Sequence, residues 1–162
     1  MTTGPLGEAR TDDDGTGTLV FHRTFPDPIE DVWATLTDSD RLARWYGHYE
    51  GTGGTGGTVE LTITGEVDAG GKEGDPVTVS ILECVPPHRL VVEMAPEGEG
   101  TWHLAATLSE HAGGTTLLFE QRLPAGFPYP ASEVEPGWRW YLDRLVAAVA
   151  GDPMPPWKSY AP

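Results

Sequence analysis

From Thr18 to Phe25 the chain alternates: Leu19, Phe21 and Phe25 fall on one side, His22 and Thr24 on the other, the period-two pattern of a half-buried strand. Pro26-Asp27-Pro28 ends this run. Asp27 suits an N-cap, Pro28 a first helical position, and Glu30 completes a capping box, so Ile29, Val32, Trp33 and Leu36 predict a short helix. Asp38 opens a second short helix carrying Leu42 and Trp45, for which Gly47 is a natural stop. A Gly/Thr loop, Gly51 to Gly57, precedes a series of strands. Val59, Leu61 and Ile63 mark the first, followed by Val77 to Val85 and Leu90 to Met94. Another carries Trp102, Leu104, Ala106 and Leu108 on one side, and the last runs from Thr115 to Leu123. Short Gly/Pro turns between most of these predict an antiparallel meander. Gly65 to Pro76 is a charged, turn-rich connection. The one long helix opens at Ser132 with Glu135 as a second capping box, carries Val134, Trp138, Tyr141, Leu142, Leu145 and Val149 as its apolar stripe, and ends at Gly151 and Pro153.

The order is strand, two short helices, five strands, long helix: an α+β chain. An antiparallel sheet must cover its apolar face, and one amphipathic helix is the only long element available to do so. A six-stranded sheet is wider than a helix of ~10–12 Å. Curving it around the helix leaves space for the short helices to plug, and that mismatch predicts a cavity. The predicted organisation is a disordered acidic tail over 1–17, one domain over 18–151, and a Pro-rich, loosely attached tail over 152–162.

Particular stretches carry a family resemblance. They are Phe25-x-x-Pro28-x-x-x-Val32-Trp33-x-x-Leu36-Thr37-Asp38, Leu42-Ala43-Arg44-Trp45, Ile81-Leu82-Glu83, Pro86-Pro87-His88-Arg89-Leu90-Val91, and Gly137-Trp138 with Tyr141-Leu142-x-x-Leu145. Together they resemble the activator of heat-shock-protein-90 ATPase group within the START-like (SRPBCC) superfamily, over roughly Thr18 to Gly151. The resemblance implies a helix-grip fold: a curved six-stranded antiparallel sheet around a long C-terminal helix, with two short helices between strands 1 and 2. It also implies the superfamily's range of tasks, from lipid transfer, hormone binding and polyketide cyclisation to chaperone docking.

Charge removes other classes. Twenty-five acidic against ten basic residues give −15, and no basic stripe offsets it, so a phosphate backbone or anionic lipid surface is repelled. Nucleic acid is not an expected partner. No apolar run approaches the ~20 residues of a membrane helix, and Met1 to Gly17 lacks the apolar segment of a signal peptide. With the single cysteine Cys84, this predicts a cytoplasmic protein without disulfides or membrane insertion.

Recognised catalytic motifs are missing from the chain. The five histidines are scattered without a partner at ligand spacing, so no metal and no cofactor is expected. The Gly51–Gly57 loop leads into a strand and lacks a following Lys-Ser/Thr, so it is a lip and not a phosphate cradle. Trp102, Phe119, Trp138, Tyr141 and Leu142 belong to the sheet face and the facing helix stripe and form the predicted pocket lining. His48 is placed at the mouth. Arg23, Glu83 and Gln121 interrupt apolar strand faces. Each must be paired, lie at the rim, be turned outward by a bulge, or serve as a polar handle in the pocket. Trp140 lies ~200° from Trp138 around the helix and is predicted to face outward beside Arg139 and Arg144. The Trp157/Tyr160 tail or a homodimer partner would cover it there.

Three functions follow from this reading. The first is binding of a small, mainly hydrophobic ligand, lipid-like or polyketide-like, between sheet and C-terminal helix. The second is a cyclase or lyase using Arg23 or Tyr141 on a carbonyl and Glu83 or His48 as base. The third is a protein-docking module related to chaperone ATPase activators.

Overall fold

The computed structural model describes residues 5–11 and 16–161. Among these, eight strands make one antiparallel sheet: β1 (Glu8–Thr11), β2 (Gly17–Phe25), β3 (Gly47–Glu50), β4 (Thr58–Ile63), β5 (Val77–Val85), β6 (Arg89–Met94), β7 (Trp102–His111) and β8 (Gly114–Leu123). Their order is β1-β2-β8-β7-β6-β5-β4-β3. β3 to β8 form the meander, and β2 returns beside β8, so the first long strand lies against the last. Two short helices, α1 (Ile29–Thr37) and α2 (Ser39–Leu42), follow β2; α3 (Gly65–Asp68) is a single turn after β4; α4 (Ala131–Ala150) is the long helix. This is the helix-grip architecture, with eight strands where the sequence pattern predicts six.

Both additional strands are short and lack an apolar repeat. β1 lies in the segment expected to be disordered. It pairs along β2, the Gly7 amide donates to the Glu135 carboxylate at 3.0 Å, and Arg10 lies 3.6 Å from Glu120. Backbone pairing and polar contacts hold it, and neither leaves a hydrophobic signature. The rest of the expected tail that falls on residues 1–4 and 12–15 lies outside the described residues. β3 begins at Gly47, which was expected to end a longer second helix. The Leu42 carbonyl accepts from both Trp45 and Tyr46, so the chain has already left α2 by Trp45.

Neither capping box forms. The N-cap residues of α1 and α4 are Pro28 and Pro130, with no side-chain cap. Glu135 serves Gly7 and Arg139 instead (Arg139 Nε at 3.0 Å). Acidic residues still occupy the first turns, Glu30 and Asp31 in α1 and Glu133 in α4, where they oppose the positive end of the helix dipole.

The core joins Leu19 and Phe21 of β2, Leu117 and Phe119 of β8, and Trp138, Leu142 and Leu145 of α4. α4 is buried on more than its predicted stripe, because a different layer covers each side. Arg144, expected outward, is 3% exposed: its Nε donates to the Trp45 carbonyl and its Nη2 to Asp68, both at 2.8 Å. Trp140 is also buried, at 2% exposure. Its indole N–H donates to the Pro155 carbonyl at 2.9 Å, and its ring meets Trp157 edge-on at 5.2 Å. Tyr160 is buried and donates to Asp143 at 2.7 Å. The C-terminal segment is therefore docked rather than loose. The face proposed for a dimer is already covered by the chain itself. No helix among the described residues is long and apolar enough to cross a membrane.

Candidate ligand cavity

Between the meander and the helices lies a cavity of about 200 Å³. Its floor comes from alternate residues of five strands, including Val59 and Leu61 of β4, Val79 and Ile81 of β5, Val92 of β6, Ala106 of β7 and Phe119 of β8. Leu36, Leu42, Trp45 and Tyr46 cover it from the short helices and the turn after them, and Trp138 of α4 closes one end. The ring N–H and hydroxyl groups around it mostly bond to the protein. Trp45 Nε1 donates to the Thr35 carbonyl at 2.9 Å, Trp138 Nε1 to Gln121 Oε1 at 2.6 Å, and the Tyr49 hydroxyl to the Thr37 carbonyl. Burial, with smaller contributions from Asp38 and Cys84, raises the Tyr49 hydroxyl pKa. What faces the interior is almost wholly carbon.

A β-bulge shapes one wall. The register of β5 against β6 shifts between Ile81 and Glu83. Val79 and Ile81 face the cavity before the shift and Cys84 after it, while Leu82 is exposed. The bulge also turns Glu83 outward, where it pairs with Arg89 at 3.2 Å. Beyond the last β4–β5 pair, the Gly51–Gly57 loop docks on the same stretch. Gly56 N donates to Ile81 O at 2.8 Å, Ile81 N to Gly57 O at 2.9 Å, and Cys84 N to Thr55 Oγ1 at 3.0 Å. This brings Gly53 and Gly54 over the cavity as a lip. A side chain at Gly53 would start 3.0 Å from Ile81 Cδ1, so glycine permits the close approach.

The predicted lining divides. Phe119 and Trp138 line the central cavity. Trp102 and Tyr141, with the other side of Trp138, line an adjoining pocket, and Leu142 is fully buried in the core. Arg23 points inward as the alternation requires, but it is 4% exposed and its Nε binds Asp143 at 3.1 Å, under the C-terminal segment and away from the cavity. Burial lowers its pKa, opposed chiefly by Asp143. Gln121 is fully buried and serves Trp138. His48 is exposed on β3, 4.0 Å from Glu73, and does not line the cavity. The base roles considered for Glu83 and His48, and the carbonyl contact considered for Arg23, therefore have no geometry at the cavity.

Sequence reasoning missed Tyr46, Tyr49 and Cys84 as lining residues, and it placed Trp45 in the core alone. Tyr46 is the centre of the aromatic cluster: its ring lies 5.4 Å from Trp45, 5.7 Å from Trp138 and 4.8 Å from Tyr141. Burial, and then the charges of Glu66 and Glu99, push its hydroxyl pKa well up. The available signal was the Trp45-Tyr46 pair at the foot of a short helix. Among the described residues, no group of three or more His, Cys, Asp or Glu could hold a metal ion.

The family described as Activator of Hsp90 ATPase homolog 1-like protein matches the chain over residues 27–150. Solved structures share the fold. CalU16 from Micromonospora echinospora superposes with a TM-score of 0.68 at 25% identity, covering 93% of this chain and 87% of that one. Protein BPP1335 from Bordetella parapertussis gives a TM-score of 0.72 at 27% identity, covering 98% and 89%. DynU16, a protein in the dynemicin biosynthetic locus, gives 0.68 at 27% identity, covering 88% of this chain and 50% of that one. No curated protein matches the sequence.

Proposed function

Because the chain belongs to the Activator of Hsp90 ATPase homolog 1-like family of the START-like superfamily, we propose that it binds a small, mainly hydrophobic molecule, lipid-like or polyketide-like, in the cavity between sheet and C-terminal helix. The observation that carries this reading is the wall itself: five strands and three helical segments converge on a carbon-lined space whose indole N–H groups already bond to the protein. Such a surface recognises shape and apolar area, each buried methylene contributing about 0.8 kcal/mol. Its likeness to DynU16, a protein in the dynemicin biosynthetic locus, supports a biosynthetic intermediate or product as ligand.

Size refines the reading. At about 200 Å³ the cavity is smaller than the ~300–1,000 Å³ of sites for drug-sized molecules. It accommodates an alkyl chain or one or two fused rings. A larger guest displaces the Gly51–Gly57 lip, the part of the wall with the fewest side chains. Native mass spectrometry of the protein from its own host, with a denatured control, tests this directly. A co-purifying apolar small molecule is the expected result; an empty cavity together with a specifically captured protein would instead favour the docking function.

A further inference from the structure

Beside the central cavity, and sharing Tyr46, Met94 and Trp138 with it, lies a second pocket of about 360 Å³ near the N-terminal end of α4. Its chemistry is different. Aromatic rings of Tyr46, Trp102, Tyr129 and Tyr141 line it together with three carboxylates: Glu66 from α3, Glu99 from the β6–β7 turn and Glu133 from the first turn of α4. The helix dipole accounts for Glu133. Glu66 stands in α3, a single turn with little dipole of its own, and Glu99 lies in a turn; among the described residues neither forms an ion pair. Among the described residues the ring–cation pairs are Arg23–Phe21, Arg139–Tyr160 and Arg144–Trp140, so none of these arginines occupies a ring of this pocket.

An independent feature marks the same place. Tyr141 is 7% exposed, and its buried hydroxyl has no hydrogen-bond partner among the described residues. The ring lies against Gly65, where a Cβ would sit 2.3 Å from Tyr141 Cε1 and 2.7 Å from the hydroxyl. Only glycine admits this contact, and Glu66 follows it directly. A buried polar group without a partner costs free energy, so the packing of this ring on Gly65 is kept at the expense of a hydrogen bond.

We propose that this pocket binds an organic ammonium ion, an alkylated amine, with the aromatic faces and the carboxylates of Glu66 and Glu99 surrounding the cation. Ring quadrupoles attract a cation most strongly where water is displaced, and an alkylated ammonium sheds water more readily than a bare one. The surrounding protein partly desolvates the otherwise exposed Glu66 carboxyl and raises its pKa; a backbone hydrogen bond and Arg144 oppose this, and Glu99 adds a smaller push upward. A bound cation relieves both pressures. The adjoining groove carries Asp75, Glu93 and Glu97 with Lys72 as its one basic residue among those lining it, which favours the approach of a cation and disfavours an anion. The inference is separate from the reading of the central cavity, because it rests on carboxylates and on the rings of Trp102, Tyr129 and Tyr141, none of which lines that cavity.

The test titrates the full chain with choline and, in parallel, with its uncharged carbon isostere dimethylbutanol, following the indole N–H signals of Trp102 and Trp138 and the Gly65 amide by NMR. Choline is expected to shift these signals and the alcohol to bind about tenfold more weakly or not at all. Glu66→Gln with Glu99→Gln, two exposed positions whose exchange leaves the thermal midpoint close to that of the parent, is expected to weaken choline by about tenfold. Trp102→Leu gives a second loss through the ring alone. Equal binding of choline and the alcohol, or choline binding unchanged in the double variant, overturns the proposal. So does the absence of any choline shift in the parent. A central cavity that fails to bind apolar probes leaves all of these outcomes readable.

Discussion

Trp138 donates its indole N–H to the Gln121 side-chain oxygen at 2.6 Å, and both residues are buried. Gln121 stands on β8 between Leu19 of β2 and Leu104 of β7, so a polar group has been placed inside an apolar sheet face to hold one tryptophan. That ring forms walls of both the cavity and the adjoining pocket. Gln121→Leu strands the indole N–H and is expected to cost about 1–3 kcal/mol. Adding Trp138→Phe removes the stranded donor, so the double variant loses less than the two single losses together, as a urea-denaturation cycle will show. A fully stable Gln121→Leu protein contradicts this role. Reading Gln121 as a ligand handle implied no loss of stability; the buried bond requires one.

Arg23 and Asp143 form another inward polar contact, with side chains 4% and 11% exposed. Tyr160 donates to the same carboxylate, tying the C-terminal segment to the pair. Arg23→Leu removes the guanidinium bonded to a largely buried carboxylate and is expected to destabilise the fold, by up to roughly 3–5 kcal/mol. Because Arg23 does not line the cavity, apolar ligand affinity measured well below the unfolding temperature should be unchanged. Strongly weakened binding in a folded Arg23→Leu protein would restore the handle reading.

Removing Met154 to Pro162 uncovers Trp140 and deletes the Pro155 carbonyl and the Trp157 ring that meet it. Exposing a side chain of that size costs roughly 1.5–3 kcal/mol. It also leaves an apolar patch on α4 that should drive self-association, visible by sedimentation as a species heavier than that of the full chain. Equal stability and an unchanged sedimentation coefficient would mean that the docked segment contributes nothing.

Glu66 offers a pH signature. Its pKa is raised in the folded protein, chiefly because neighbouring protein partly desolvates a carboxyl whose side chain is otherwise exposed, so folding favours its protonated form. The associated stability is complete below the unfolded carboxylate pKa and is lost as pH rises through the folded one. At neutral pH the charged side chain is therefore a small liability. Glu66→Gln should raise the thermal midpoint at pH 7, by the equivalent of no more than about 0.5 kcal/mol for so exposed a group. The difference should shrink in acid. A variant less stable at pH 7 has the opposite sign and refutes the assignment.

The long elements were legible because burial leaves periodic traces. β2, β5 and β8 follow the alternation of Leu19-Phe21, Val77-Val79-Ile81 and Leu117-Phe119, and α4 follows its Trp138-Leu142-Leu145 stripe. β1 and β3 left no such trace, because edge pairing is a backbone property. Trp140 and Arg144 were misplaced for another reason: angular position predicts which side of a helix a residue occupies, not what else the chain lays over that side. Glu83 shows the limit of parity, since one bulge after Ile81 reverses it and puts Cys84 where the alternation puts Glu83. Tyr46 stands outside any periodic element, so its central place among Trp45, Trp138 and Tyr141 is a product of tertiary packing alone.

The central claim is that the carbon-lined space is a binding site rather than a packing defect. Apolar cavities of about 150 Å³ bind molecules the size of benzene, so naphthalene or a comparable bicyclic probe is a fair guest for this one. The measurement is a methyl NMR titration of the full chain with naphthalene, following Ile81 and Leu104, repeated on Ala106→Leu. Ala106 faces the cavity opposite Phe119, and a leucine there fills part of the space. The expected result is saturable binding to the parent and affinity about tenfold lower in the variant, with stability equal or higher because a void has been filled. Failure of the parent to bind, or equal affinity in both proteins, would contradict the account.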